Sequence, residues 1–486
     1  MTTSLPALIA LDRRVRTPIY RQIYDRFRAR VLAGELRAGE PVPSTRALAQ
    51  ELRVSRLPVL NAYEQLLAEG YFESRAGAGT FIAQSFPRRG PPMHAPRGKA
   101  VSGARPISAH AASLPPYQRA VWAETLGPFQ MGQPELRAFP ISIWSRLTAR
   151  CSRNLSVKAL QYGEALGLPA LREAIAGYLR TARGVRCEAG QVVIVSGSQQ
   201  ALDLCARVLL DAGNAAWVEE PGYWLVHHVL KAAGVRAVPV PVDDEGLQVA
   251  AGVKLEPRAR AVFVAPSHQS PLGVTLSAAR RVELLAWAQR AGAWIVEDDY
   301  DSEYRYDSKP IASLQGLDRH DRVLYAGTFS KVMFPSLRLG YLVVPPDLVE
   351  RFAATRRAMD LCPPYLAQAV MAAFISEGHF SRHLRKMRPL YARRRRLLVE
   401  SLGREFGGRA EVQGAEAGMH VTVLLHGCRN DRALAARALA RGVQVSPLSA
   451  LYAGNQPRQG LVLGFGNTSE VRIGAAVRLL AKLAQA

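Results

Sequence analysis

Apolar positions along the chain fall into three textures. In residues 18–33, Ile19, Ile23, Phe27 and Val31 recur at helical spacing, and Pro18 is tolerated in the first turn. Further on, Ser44 or Thr45 can cap a short helix whose Leu48 and Leu52 face a core. Arg53-Val54 then form a turn, and Ser55 caps a second helix carrying Val59, Leu60, Tyr63 and Leu67. Gly70 ends it, and YFESR and GTFIA flank Ala76-Gly77-Ala78 as a hairpin. Two short helices, a tight turn and a wing-like hairpin predict a helix-turn-helix domain over residues 1–83, the second helix meeting base edges with its start. Residues 84–120 are rich in Pro, Gly, Ser and Arg with no apolar period, which predicts a basic tether. From 121 to 486, short apolar runs (QVVIVSG, AAWVEEP, RAVFVAPS, AWIVEDDY, RVLYAGT) alternate with helical segments. That alternation predicts an α/β domain with a mainly parallel central sheet, and its length predicts a small C-terminal α+β subdomain from about residue 365.

Composition adds constraints. Hydrophobic residues make up 48% and charged residues 21% of the 486, as in globular proteins with real cores. No window approaches the ~20 apolar residues of a membrane span. The apolar stretch near the N-terminus is followed, not preceded, by basic residues, so it makes a poor secretion signal and a cytoplasmic location is expected. Five scattered cysteines, with no CxxC or ligand spacing, fit a reducing compartment and predict no metal site. The net charge of +23 points to a polyanionic partner. Of the 63 basic residues only 8 are Lys, however, so an arginine bias alone can produce that charge, and a motif has to decide.

The motif that carries chemistry is AGTFSKVMFPSLRLGY. In a chain that prefers arginine so strongly, Lys331 between small and hydroxyl residues suggests a chemical need, since an amine forms a Schiff base and a guanidinium does not. Thr328 and Ser330 can donate hydroxyls to a phosphate, and Arg338 offers it a planar fork. Ser198 and Gln199 start a helix after a strand and a glycine turn, where backbone N–H groups face an anion. Tyr223 follows a strand and can stack on a flat ring. His268 and Gln269 lie at a strand's carboxyl end, where open α/β sheets bind ligands. Asp298 and Tyr300 end the AWIVEDDY strand. Adjacent Asp298-Asp299 can also be a solvated turn, but that leaves the apolar AWIV run unexplained.

Over residues 14–83, PSTRALAQELRVSR…AYEQLLAEGY…RAGAGTF resembles the winged helix-turn-helix of GntR-type regulators. The resemblance implies a double-stranded DNA operator, contacted by Ser44, Thr45, Arg46, Arg56, Arg75, Gly77, Gly79 and Thr80. It departs at Leu57-Pro58, where the family has a polar pair. Over about 121–486, YGEALGLPALREAIAGYL, SGSQQAL, EEPGYW, PSHQSPLG, EDDYDSEYRY and GTFSK…RLGY resemble fold-type-I aminotransferases in that order. The joining of the two resembles the MocR family of regulators. It implies pyridoxal 5'-phosphate as a Schiff base on Lys331, with Asp298 at the ring nitrogen and Tyr300 at the ring hydroxyl. It also implies a homodimer exchanging domains head to tail. The aminotransferases carry an arginine that clamps the substrate carboxylate, and Val462 in GLVLGFGN stands in its place. Arg472 or Arg441 are the candidate substitutes. The expected function is therefore a regulator sensing pyridoxal phosphate or an amine, against the alternatives of a working aminotransferase with a DNA anchor and a structural DNA-binding protein.

Overall fold

A computed structural model describes residues 9–85, 106–115, 126–306, 311–454 and 457–485. It divides into two compact units, Met1–Pro106 and Ile107–Ala486. Most of the segment expected to be a tether lies outside the described residues; within it, Ala109–Ser113 form one helical turn capped by Ser108.

The first unit is three helices and a hairpin: α1 Ile19–Leu32, α2 Thr45–Glu51, α3 Arg56–Ala68, β1 Phe72–Arg75 and β2 Gly79–Ile82. Its core is an aromatic triad, Phe27, Tyr63 and Phe72, meeting edge to face at 5.1–5.8 Å between ring centres. The buried face of α3 is Val59, Ala62, Tyr63 and Leu66. Leu60 and Leu67, expected in that core, are only half-buried: Tyr63 anchors the face, and the 3.6-residue period then turns Ala62 and Leu66 inward in their place.

In the second unit an eight-stranded sheet runs β3 (Val192–Val195), β10 (Gly340–Val343), β9 (Val323–Thr328), β8 (Trp294–Asp299), β7 (Ala261–Val264), β4 (Ala215–Glu220), β5 (Arg236–Asp243) and β6 (Gly246–Leu247). β4, β5, β7, β8 and β9 are parallel. β10 runs antiparallel between β3 and β9. β3, β7, β9 and β10 are buried along their whole length, as strands covered by helices on both faces must be. A long helix, His379–Phe406, leads to a four-stranded antiparallel sheet ordered β11 (Ala410–Gln413), β12 (His420–Leu425), β14 (Gly460–Gly464) and β13 (Ser446–Pro447). The C-terminal helix Glu470–Gln485 packs along that long helix. The carboxyl ends of β4, β7, β8 and β9 open on one cleft, where such sheets gather ligand-binding groups.

Candidate functional site

In the first unit, the Ser44 hydroxyl accepts the Ala47 N–H at 3.2 Å and starts α2. The turn that follows places Arg53 at φ 51°, a left-handed backbone that lets α3 begin at once. At the start of α3, Arg56 donates through Nε to Thr45 Oγ1 at 3.1 Å, tying the first turns of α2 and α3 together. Arg46 and Leu57 are exposed. In the hairpin, Gly77 and Gly79 have φ of 75° and 105°, which a side chain would strain, and open space around them leaves a ligand's backbone room to approach. Arg75 is held at 2.6 Å by Glu73 and lies over the Phe81 ring, with Thr80 on the facing strand.

The cleft of the second unit encloses about 750 Å³. Nine residues singled out in the sequence line it: Ser198, Gln199, Tyr223, Asp298, Tyr300, Thr328, Ser330, Lys331 and Arg338. Ser198 and Gln199 open the helix Ser198–Leu209 directly after Gly197, whose φ of 96° bends the chain from β3. That backbone conformation favours glycine, and the Arg338 guanidinium lies against it, 3.4 Å from where a Cβ would stand. Thr328 donates to Ser330 Oγ at 3.1 Å. Backbone N–H groups, a guanidinium and two hydroxyls thus form an anion cradle. Lys331 donates through Nζ to the Gly132 carbonyl at 3.0 Å. Burial lowers its pKa, while Asp301 and Asp298 pull it back up.

The three acids of β8 are separated by their partners. Glu297 accepts the N–H groups of Leu314 and Gln315, both at 2.9 Å. Asp299 is buried against Arg183 at 2.7 Å and accepts the Tyr325 hydroxyl. Asp298 alone of the three turns to the cleft, and its Oδ1 has no hydrogen-bond partner among the described residues. Burial, reinforced by Asp299, raises its pKa to about 7, against the lowering pull of Lys331. An orphaned, buried carboxylate in one cleft with a lysine and an anion cradle is the donor set that a protonated pyridine bearing an aldehyde and a phosphate requires.

The bacterial gntR-type regulatory family matches residues 19–82, and the aminotransferase class I and II family matches residues 138–477. The chain is 41% identical, over 94% of its length and 92% of the relative's, to the "Probable rhizopine catabolism regulatory protein MocR" of Rhizobium meliloti. The chain belongs to the MocR family of GntR-type transcriptional regulators. It is also 32% identical, over 97% of its length and 96% of the relative's, to the pyridoxine biosynthesis transcriptional regulator PdxR of Corynebacterium glutamicum. Among solved structures, a kynurenine aminotransferase of Pyrococcus horikoshii superposes with a TM-score of 0.71 at 29% identity, covering 78% of this chain and 96% of that one.

Two residues expected in this MocR-family site lie off the cleft wall. Gln269 donates its amide to the Pro221 and Ser270 carbonyls, both at 2.8 Å, and accepts the Leu272 N–H, so it braces the loop. His268 sits behind Tyr300, its Nδ1 2.9 Å from Asp301 and 3.1 Å from the Tyr300 hydroxyl. Ser270, Gly132, Asp301 and His420 line the cleft and were missed. PSHQSPLG held the signal for Ser270, because its loop leaves β7 at the ligand edge. His420 had no such signal, because it lies on β12 in the C-terminal subdomain, where no local motif marks it.

The position where a carboxylate clamp was expected has apolar surroundings. Val462 lies on β14, fully buried among Val242, Leu272 and Leu448. Arg472 and Arg441 are exposed, and neither lines the cleft. Lys331 and Arg338 are its only lysine or arginine side chains among the described residues. No helix among those residues is long and apolar enough to cross a membrane.

Proposed function

We propose that this chain binds an operator through its first unit and holds pyridoxal 5'-phosphate in its second, sensing that molecule or an amine that meets it rather than turning over amino acids. The observation that carries the reading is Asp298, which lines the cleft together with Lys331 and whose buried Oδ1 has no hydrogen-bond partner among the described residues. Pyridoxal phosphate supplies an aldehyde that a lysine amine can capture and a ring that draws electrons when its nitrogen is protonated. Asp298 would hold the proton at that nitrogen. Ser198, Gln199, Thr328, Ser330 and Arg338 would hold the phosphate, Tyr223 would cover one ring face, and Tyr300 would meet the ring hydroxyl. Burial keeps the Lys331 nitrogen closer to its neutral, nucleophilic form. With Val462 at the clamp position, a substrate carboxylate loses a charge-assisted contact worth about 1.5–3 kcal/mol, which disfavours transamination of ordinary amino acids.

In the first unit, Ser44, Thr45, Arg46 and Arg56 would meet one groove of the operator, and Arg75, Gly77, Gly79 and Thr80 would follow the backbone beside it. A homodimer fits the short segment in which Val157, Leu160 and Tyr162 stand 77%, 71% and 85% exposed, an apolar surface suited to a second copy. The test is operator affinity of the purified chain with and without added pyridoxal phosphate, beside an assay for keto-acid formation from amino acids. The expected result is a changed affinity with no turnover. Unchanged affinity with steady turnover would replace the regulator by an enzyme carrying a DNA anchor.

A further inference from the structure

Beside Tyr300 lies a buried polar cluster of His268, Asp301 and His420, of which Asp301 and His420 reach the cleft wall. His268 is 3% exposed and Asp301 2%. His268 Nδ1 stands 2.9 Å from Asp301 Oδ1 and 3.1 Å from the Tyr300 hydroxyl. Asp301 Oδ2 accepts the Met419 N–H at 3.2 Å. The His420 ring lies 4.7 Å from that of His268, and its Nε2 is 3.0 Å from the Pro271 carbonyl. A Cβ on Gly418 would fall 2.0 Å from the His268 ring and 2.6 Å from Asp301, so glycine is needed for the cluster to close.

One nitrogen cannot both donate to Asp301 and accept from Tyr300. His268 Nε2 is buried without a partner among the described residues. A proton placed there would be an unsatisfied buried donor, so the proton belongs on Nδ1, donated to Asp301. The Tyr300 oxygen then finds no acceptor on the histidine and takes the Ser270 hydroxyl as a donor, which leaves its own proton for the cleft. We propose that His268 and Asp301 are positioning residues: together they fix the histidine tautomer that presents Tyr300 as a hydrogen-bond donor to the ligand, while Asp301 sets the charge facing Lys331. The other groups around Tyr300 and His268 are Ser270 from the loop after β7, Asp298 on β8, Glu219 on β4, His420 on β12 and Lys331. Burial keeps His420 uncharged, its pKa lowered to about 3, so it adds no competing charge. His268, Asp301 and His420 also offer ligand atoms within 4.8 Å of one another, a spacing a cation can use.

The cofactor arm of the test rests on the function proposed above; the tautomer arm does not. In the full chain labelled with 15N-histidine and free of cofactor, His268 is expected as the Nδ1–H tautomer in wild type and to lose that state in D301N. An Nε2–H tautomer in wild type overturns the proposal. With pyridoxal phosphate added, D301N should lower the pH midpoint of the visible band by about 1 unit, the scale of one nearby charge. H268L should weaken cofactor affinity about tenfold, the scale of one buried hydrogen bond. H268N, whose amide sits where Nδ1 does, should stay within about twofold of wild type. Thermal unfolding of each variant separates misfolding from mispositioning. Equal midpoints and affinities in folded variants overturn the proposal, as does a midpoint that moves when wild type is dialysed against EDTA, which would put a cation in the relay's place. A wild type with no visible band but the expected tautomer sinks the cofactor reading and leaves the relay standing.

Discussion

Lys331 and Asp298 line one cleft with opposite electrostatic needs, and each yields a prediction. Lys331→Ala should abolish the visible absorption that pyridoxal phosphate gains on binding, read by spectrophotometry; a surviving band would move the attachment elsewhere. Asp298 has a folded pKa of about 7 against an ordinary 3.8. A carboxyl raised on folding favours the folded state fully only below its unfolded value, and that contribution is lost as pH rises through the folded one. In the cofactor-free protein, Asp298→Asn should therefore make little difference near pH 4. It should stabilise increasingly toward pH 7, by at most about 1.4 kcal/mol per pH unit, and level off above. Denaturant unfolding across that range checks it, and a flat difference would discard the assignment. The resemblance singled out Asp298 from the EDD triplet, while residue spacing alone could not, because only the distant partners Arg183 and Leu314 show which acid is left over.

Among elements, β14 carries the valine that stands where a carboxylate clamp was expected. Its Val462 pairs across to Thr422 on β12 and Ser446 on β13, with its side chain in an apolar cluster. Val462→Arg should not restore a carboxylate clamp. It should instead destabilise by about 3 kcal/mol or more, since the new charge has no partner there. A gain in amino-acid affinity without loss of melting temperature would overturn that. Motif spacing along the chain made the helix-turn-helix and the alternation of strands and helices legible, while the order of strands in the sheet was not. Nor were other element-level facts. The antiparallel run of β10 reads the same as a parallel strand, because a fully buried four-residue run carries no direction. His268 and Gln269 are neighbours in an irregular loop, where no period says which side chain faces the cleft.

At the scale of the whole molecule, the exposed Val157, Leu160 and Tyr162 segment predicts a dimer in solution. Leu160→Glu should shift light-scattering mass toward a single chain while leaving the far-ultraviolet spectrum unchanged; a persistent dimer would place the interface elsewhere. The reader's core closes on Phe27, Tyr63 and Phe72, and Leu57, 62% exposed, lies outside it. We predict that Leu57, near the start of α3, meets a base edge; a leucine offers no hydrogen bond there, so the expected contact is the methyl group of thymine. An operator synthesised with uracil at that step should bind roughly fivefold more weakly, about 1 kcal/mol.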